Sequence, residues 1–68
     1  MVNKNLLRGK IAEAGMNQKE VAKAIGMTEK TFSIKLNNGK FGLDEADKII
    51  SILHIQEPSP IFFAKEVT

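Results

Sequence analysis

Residues 17–36 read NQKEVAKAIGMTEKTFSIKL, and this stretch decides the fold of the chain. Asn17 is a favourable helix N-cap, and Glu20 three positions later completes a reciprocal capping box, so a helix begins here. Gly26 ends that helix, because only glycine adopts the left-handed conformation without steric cost. Thr28 can then cap a second helix. The stretch therefore predicts two short helices joined by a tight turn.

Apolar residues in this stretch recur at helical spacing and mark the buried side of each helix. Val21, Ala22 and Ile25 form one stripe on the first helix. Phe32 and Leu36 form an i, i+4 pair on the second helix. The other side of the second helix is therefore expected to face outward.

This pattern resembles the helix-turn-helix of the Cro/C1-type repressors, the lambda-repressor-like family. The matching features are Gln18, Ala22, Gly26, Met27, Thr28 and Phe32, followed by NNG at residues 37–39. LLRGKIAEAG before the motif and FGLDEADKIISIL after it extend the resemblance over most of the chain. The resemblance implies an all-α fold of four helices plus a short fifth, with the motif at residues 17–36. The chain looks like the small regulators of temperate phages that infect Gram-positive bacteria.

One position departs from the family pattern. The family usually has a polar residue at the position of Ile34 and an apolar residue at that of Lys35, and here the order is reversed.

The outward face of the second motif helix carries the residue types that read DNA bases. At about 100° per residue, Lys30 and Ile34 point most directly away from the buried pair. Ser33 and Thr31 flank them, and Glu29 lies at the N-terminal edge of this face. In a docked recognition helix Lys30 can donate to guanine, Glu29 can accept from the cytosine amino group, and Ile34 can contact a thymine methyl. Ser33 can hydrogen-bond in either direction. The alternative is an ordinary solvated helix face, which an outward isoleucine does not fit.

A second set of residues is expected to contact the phosphate backbone. Gln18 and Asn37 match family positions that touch phosphates from the two ends of the motif. Thr28 is a further DNA-binding candidate, with no particular contact assigned to it. Asn38 and Lys40 are further expected phosphate contacts with weaker support. The alternative is that Gln18 is merely a good helix former and Asn37 a helix stop.

Composition limits the chain to one small domain, residues 1–68, of ordinary soluble character. There is no cysteine, so disulfides and thiolate zinc sites are excluded. No apolar run is long enough to span a membrane and no signal peptide is visible, which predicts a cytoplasmic protein. The resemblance to phage regulators implies that the cell is a bacterial host.

Charge is distributed unevenly along the chain. Residues 1–40 carry eight Lys/Arg and three Glu, 8 − 3 = +5, whereas residues 41–68 carry two Lys and five acids, 2 − 5 = −3. The basic half contains the motif, as a phosphate-facing surface requires. The alternative is that the lysines simply solvate helix surfaces.

The flanking segments are expected to brace the motif. Residues 1–4 are predicted to be a frayed end, followed by a helix capped by Asn3 or Asn5 and ending at Gly15. Its predicted buried residues are Leu6, Leu7, Ile11 and Ala14. Gly9 in its middle suggests a close helix crossing, since glycine there costs about 1 kcal/mol relative to alanine.

A fourth helix is predicted at about residues 43–53, after a loop whose Phe41 tucks under the core. Its expected buried stripe is Leu43, Ala46, Ile49, Ile50 and Leu53. Ser59 and Pro60 signal a further helix start, and a short fifth helix at about residues 60–64 is expected to close the core with Ile61, Phe62 and Phe63.

The expected function is sequence-specific binding of double-stranded operator DNA by a transcriptional regulator. The alternative is an antirepressor that binds a partner repressor protein through the same face, and a homodimer and a monomer are both compatible with the sequence. His54 is the only histidine, and its position at a helix end gives no basis for catalysis. No enzyme activity, metal, cofactor or small-molecule ligand is expected.

Overall fold

The computed structural model describes residues 2–62, and these residues form five α-helices and no strand. The helices are α1 (Lys4–Glu13), α2 (Gln18–Ala24), α3 (Glu29–Asn38), α4 (Leu43–Leu53) and α5 (Ser59–Phe62). The predicted all-α fold of four helices and a short fifth is confirmed. Phe63 and Ala64, placed in or beside the fifth helix by the sequence, lie outside the described residues.

The helix starts follow the capping signals in the sequence. The Asn17 side chain accepts from the Glu20 N–H at 2.8 Å, and the Glu20 carboxylate accepts from the Asn17 N–H at 3.0 Å. Asn3 caps α1 by accepting from the Leu6 N–H, and Thr28 caps α3 by accepting from the Thr31 N–H. These side chains supply acceptors for amide groups that have no partner within the helix.

Two glycines set the ends of the motif helices. Gly26 has a φ of +82°, and the next residue, Met27, donates its N–H to the Ala22 carbonyl at 2.9 Å. Gly39 has a φ of +68° and ends α3 in the left-handed conformation. Both values lie where a side chain would strain the backbone, so the turn into α3 and the exit from it depend on glycine.

The core draws on all five helices. Its fully buried centre consists of Leu7, Val21, Phe32, Leu36 and Ile49. Around that centre lie further buried residues, Ile11, Ala22, Ile25, Ala46, Leu53, Ile55, Ile61 and Phe62. The Phe41 ring packs against Phe32 with centroids 5.4 Å apart, which confirms the predicted inward position of Phe41.

Three expected core residues are exposed instead. Leu6 is 45% exposed and Ala14 is also exposed, because α1 contacts the core along a narrow face that contains Leu7 and Ile11. Ala14 lies at the C-cap, beyond the last helical residue. Leu43 is 78% exposed, because the first turn of α4 lies outside the core. The first buried residue of that helix is Ala46.

Two further expectations about the N-terminal segment are wrong. Residues 2 and 3 are not frayed, since the Val2 N–H donates to the Gly39 carbonyl and the Asn3 N–H donates to the Ile61 carbonyl. The start of the chain is thereby joined to the end of α3 and to α5. Gly9 does not mark a close helix crossing, because a β-carbon there would meet no other atom within 4 Å.

Candidate nucleic-acid interface

The structure brings α2 and α3 together around one shallow depression on the surface. Its lining consists of Gln18 from α2 and Glu29, Lys30, Ser33 and Ile34 from α3. Five of the nine residues that the sequence singles out therefore lie side by side. They come from two helices and offer a cation, a carboxylate, a hydroxyl, an amide and an apolar side chain.

The position of these side chains follows from the inner faces of the two helices. Phe32 and Leu36 are fully buried, and this fixes the rotation of α3 about its axis. Lys30 and Ile34 are consequently exposed, and Ile34 keeps 51% of its surface accessible. The capping box at Asn17 begins α2 at the next residue, which places Gln18 beside the start of α3.

Thr28 lies at the edge of this surface and its hydroxyl group is already engaged. It accepts from the Thr31 N–H at 3.2 Å and donates to the Thr31 hydroxyl at 2.9 Å. The predicted cap is confirmed. A DNA contact by Thr28 stays a prediction, and it would have to share the hydroxyl with the cap.

The remaining three candidates lie at the other end of α3. Asn37 and Asn38 are the last two helical residues, Lys40 follows the Gly39 cap, and all three are exposed. Asn37 does not stop the helix, because Gly39 does so. None of the three lines the depression around Ile34.

Sequence reasoning missed Arg8, which the structure places beside Asn37. The Arg8 Nη2 donates to the Asn37 Oδ1 at 3.3 Å, across 29 residues of sequence. Arg8 is exposed on α1, next to the buried Leu7. Its outward direction could have been read from the Leu7/Ile11 pair, but its proximity to the end of α3 depends on how the two helices pack.

The reversed order of Ile34 and Lys35 has a local explanation. Lys35 is half-buried, and its ammonium forms a hydrogen-bonded ion pair with the Glu45 carboxylate of α4. The other Glu45 oxygen accepts from the Gly42 N–H at 2.8 Å. The Lys35 hydrogen bond, together with that from Gly42, holds the pKa of Glu45 below its ordinary value. A lysine is thus tolerated where the resemblance predicts an apolar residue.

Positive charges at the two ends of α3 form no ion pair within the described part of the chain. Its ion pairs are Lys10–Glu13 and Lys35–Glu45, and neither includes Arg8, Lys30 or Lys40. These three side chains are exposed and directed to solvent. Each end of α3 therefore presents positive charge that can attract an anion.

Residues 2–62 contain no cluster of three or more acidic or histidine side chains placed to hold a metal ion. None of the helices in that range is both long enough and apolar enough to cross a membrane. His54 is exposed and forms the C-cap of α4 with a φ of +53°.

Comparison with known protein families gives one match. Residues 6–62 match the model of the Cro/C1-type helix-turn-helix DNA-binding domain, which spans α2 and α3 together with their flanking helices. Searches among curated proteins and among solved structures found no match.

Proposed function

Because the chain belongs to the Cro/C1-type helix-turn-helix DNA-binding domain family, we propose that it is a sequence-specific transcriptional regulator that binds operator DNA through α3. The observation that carries this proposal is the depression in which Gln18 meets the outward face of α3. An exposed helix face with a cation, a carboxylate, a hydroxyl and a methyl-bearing side chain can address several base edges at once. The protein would act in the cytoplasm of a bacterial cell.

In the proposed complex α3 lies in the major groove. Lys30 donates to guanine, Glu29 accepts from a cytosine amino group, and Ile34 contacts a thymine methyl. Ser33 adds a hydrogen bond whose direction adapts to the base.

Phosphate contacts at both ends of α3 hold it in register. Gln18 and Thr28 serve the end near the motif turn, and Asn37, Asn38 and Lys40 serve the other end. Occupation of the groove excludes polymerase or a competing repressor from the same site.

A finer proposal concerns the biological role. The resemblance of the motif and its flanking helices favours a Cro-like or repressor-like regulator from a temperate phage of a Gram-positive host. A homodimer would require an operator with two half-sites related by two-fold symmetry, separated by about one helical turn.

The test is selection of bound duplexes from a pool of random DNA sequences, followed by footprinting of the selected sequence. We expect a short consensus and protection centred on one major groove. The logarithm of affinity should fall linearly with the logarithm of salt, with a slope of about −0.9 per phosphate contact. No enrichment and no binding to any duplex at low salt would overturn the proposal.

A second candidate function rests on Ile34, which is 51% exposed and is the one apolar residue among the described residues that line the depression. An apolar residue framed by polar groups also suits a protein interface, in which a few central residues dominate the binding energy. The domain would then be an antirepressor that binds a partner repressor through this face.

Titration of the protein with the repressor encoded beside it separates the two functions. Ile34→Arg should abolish that complex if Ile34 fills an apolar socket, whereas added positive charge should raise non-specific DNA affinity. Loss of the repressor complex in this variant, together with no measurable DNA binding by the wild type, would favour the antirepressor.

A further inference from the structure

Asn37 lies on the same face of α3 as the residues that line the depression. Lys30, Ile34 and Asn37 are spaced i, i+4 and i+7, so their directions fall within about 60° of one another around the helix axis. All three are exposed. The C-terminal end of the candidate DNA-binding face is therefore formed by Asn37 and by whatever contacts it.

The Asn37 side chain is not needed to finish the helix. The Gly39 N–H donates to the Leu36 carbonyl at 3.1 Å, and the Lys40 N–H donates to the Lys35 carbonyl at 3.0 Å. Two carbonyl groups in the last turn of α3 thus receive backbone donors through the Gly39 cap. This leaves the Asn37 amide to interact with Arg8.

The hydrogen bond from Arg8 determines which end of that amide is available. An asparagine amide has one acceptor oxygen and one NH2 donor group. Because Oδ1 accepts from the Arg8 Nη2, the Nδ2 donor end is left over, and it has no partner among residues 2–62. Phosphate oxygens only accept, so the group that remains is the one a phosphate can use.

Arg8 itself has the chemistry of an anion ligand. It is the chain's single arginine, and its guanidinium has five N–H donors in a planar fork, of which Asn37 uses one. No carboxylate pairs with it among the described residues. A backbone phosphate could accept from the guanidinium and from the Asn37 Nδ2 together.

We infer that Arg8 and Asn37 form a joint phosphate-binding pair, in which Arg8 contacts the phosphate and also orients the Asn37 amide. This inference rests on the proposed DNA-binding function and assigns to α1 a part in the interface. In this pair the Asn37 side chain donates a hydrogen bond to the phosphate. Replacing Asn37 by the isosteric aspartate would turn that donor into an acceptor.

Asn37→Asp is the decisive variant, because it should strengthen the bond to Arg8 while removing the donor that faces the phosphate. We expect its melting temperature to stay close to that of the wild type, because the stronger bond to Arg8 is offset by the unfavourable position of a carboxylate at the C-terminal end of α3. Its affinity for the selected duplex should fall about tenfold or more. Gln56→Glu is the matched control, since it makes the same amide-to-acid change in an exposed residue between α4 and α5.

Arg8→Ala should reduce the magnitude of the salt slope by about 0.9, the share of one phosphate contact. Lys10→Ala is its control, because the substitution removes the same charge from the same helix. Lys10 lies about 200° around the helix axis from Arg8, on the opposite side of α1. If Arg8→Ala does not fold, Arg8→Lys retains the charge but lacks the planar fork. It should then lower affinity without changing the slope.

The outcomes separate this inference from the proposed function. If the wild type binds the selected duplex and Asn37→Asp binds as tightly as Gln56→Glu, the phosphate-binding pair is wrong and the function stands. If the wild type binds no duplex at low salt, the proposed function is wrong and this inference falls with it.

Discussion

Helices α3 and α4 have nearly the same length, 10 and 11 residues, and each buries one apolar side, yet their outward faces differ in kind. The α4 face is charged and polar, with Asp44, Asp47, Lys48 and Ser51 exposed. The α3 face exposes Lys30, Ile34 and Asn37, and it borders side chains from two other helices, Gln18 of α2 and Arg8 of α1.

Charged groups have different uses on the two helices. In the first turn of α4, the Glu45 carboxylate accepts from the Gly42 N–H and pairs with Lys35, so it acts within the fold. Asp44 in the same turn complements the helix dipole. Lys30 of α3 forms no ion pair among the described residues. Glu45 is thus engaged within the fold, whereas Lys30 is available to a partner.

Exposure of an apolar residue does not by itself distinguish the two faces. Leu43 at the start of α4 is 78% exposed, which is more than the 51% of Ile34. Ile34, however, lies among polar side chains from two helices that line one depression. We therefore assign a contact to Ile34 because of its neighbours.

The largest expected effect comes from the core on which both helices rest. Phe32→Ala should cost about 3–5 kcal/mol of unfolding free energy, because Phe32 is fully buried beneath α3. A domain of this size has only about that much stability, so the variant should be largely unfolded by circular dichroism at room temperature. Phe41→Ala, at a half-buried position, should cost less. A cooperative melt of Phe32→Ala within a few degrees of the wild type would show that the inner face of α3 is misassigned.

The next effect compares the two exposed apolar residues directly. Ile34→Ala should lower operator affinity by about 1–3 kcal/mol and relax the preference at one base position, through loss of a thymine-methyl contact. Leu43→Ala, the matched truncation on α4, should leave the base preference unchanged. Binding measurements on operators altered one base pair at a time give both results. Equal losses of operator affinity for the two variants would show that the outward faces of α3 and α4 do not differ in DNA binding.

Lysines on and next to α3 should affect binding differently from a lysine on α4. Lys30→Ala should weaken binding in a sequence-dependent way, and Lys40→Ala should weaken it uniformly and lower the salt slope by about 1. Lys48→Ala on α4 removes the same charge and should change affinity only slightly, through long-range attraction. Affinities for matched and mismatched duplexes over a salt series would show this. A loss with Lys48→Ala as large as that with Lys30→Ala would mean that only net charge matters.

The smallest expected effect concerns the ion pair that joins the two helices. The pKa of Glu45 is lowered in the fold, chiefly by Lys35, so the pair stabilises the protein above the ordinary carboxyl pKa of 4.5. That contribution declines as the pH falls below this value and is lost below the lowered pKa. It should amount to at most about 1 kcal/mol, because solvent reaches both side chains.

Melting temperatures over a pH series test this contribution. Glu45→Gln should show a weaker decline in stability with acid than the wild type. Glu57→Gln, at an exposed loop position between α4 and α5, should follow the wild-type curve. Identical curves for Glu45→Gln and the wild type would show that the ion pair adds nothing to stability.

Local features of the fold could be predicted from the sequence because their causes are local. The capping box at Asn17, the glycine at position 26 and the buried pair Phe32 and Leu36 each depend on residues a few positions apart. The same spacing placed Lys30 and Ile34 on the outward face. Their contact with DNA stays a prediction.

Features that depend on how the helices pack against one another were not predictable from the spacing of residues in the sequence. Leu43 and Leu6 have apolar side chains at or beside the buried stripe, but they project past the edge of the core. The Arg8–Asn37 and Lys35–Glu45 contacts join different helices, so no pattern within one helix reveals them.

The contact between Lys35 and Glu45 also suggests an order of events in the descent of this chain. Glu45 keeps a role if Lys35 is replaced, because it still accepts from the Gly42 N–H. Lys35 has no such second role among the contacts of the described residues, since its ammonium is bonded only to the Glu45 carboxylate. A lineage that acquired the lysine first would have passed through an ancestor with an unpaired charge. We therefore expect relatives without the acid to carry the lysine less often, whereas relatives with the acid can carry an apolar residue at position 35.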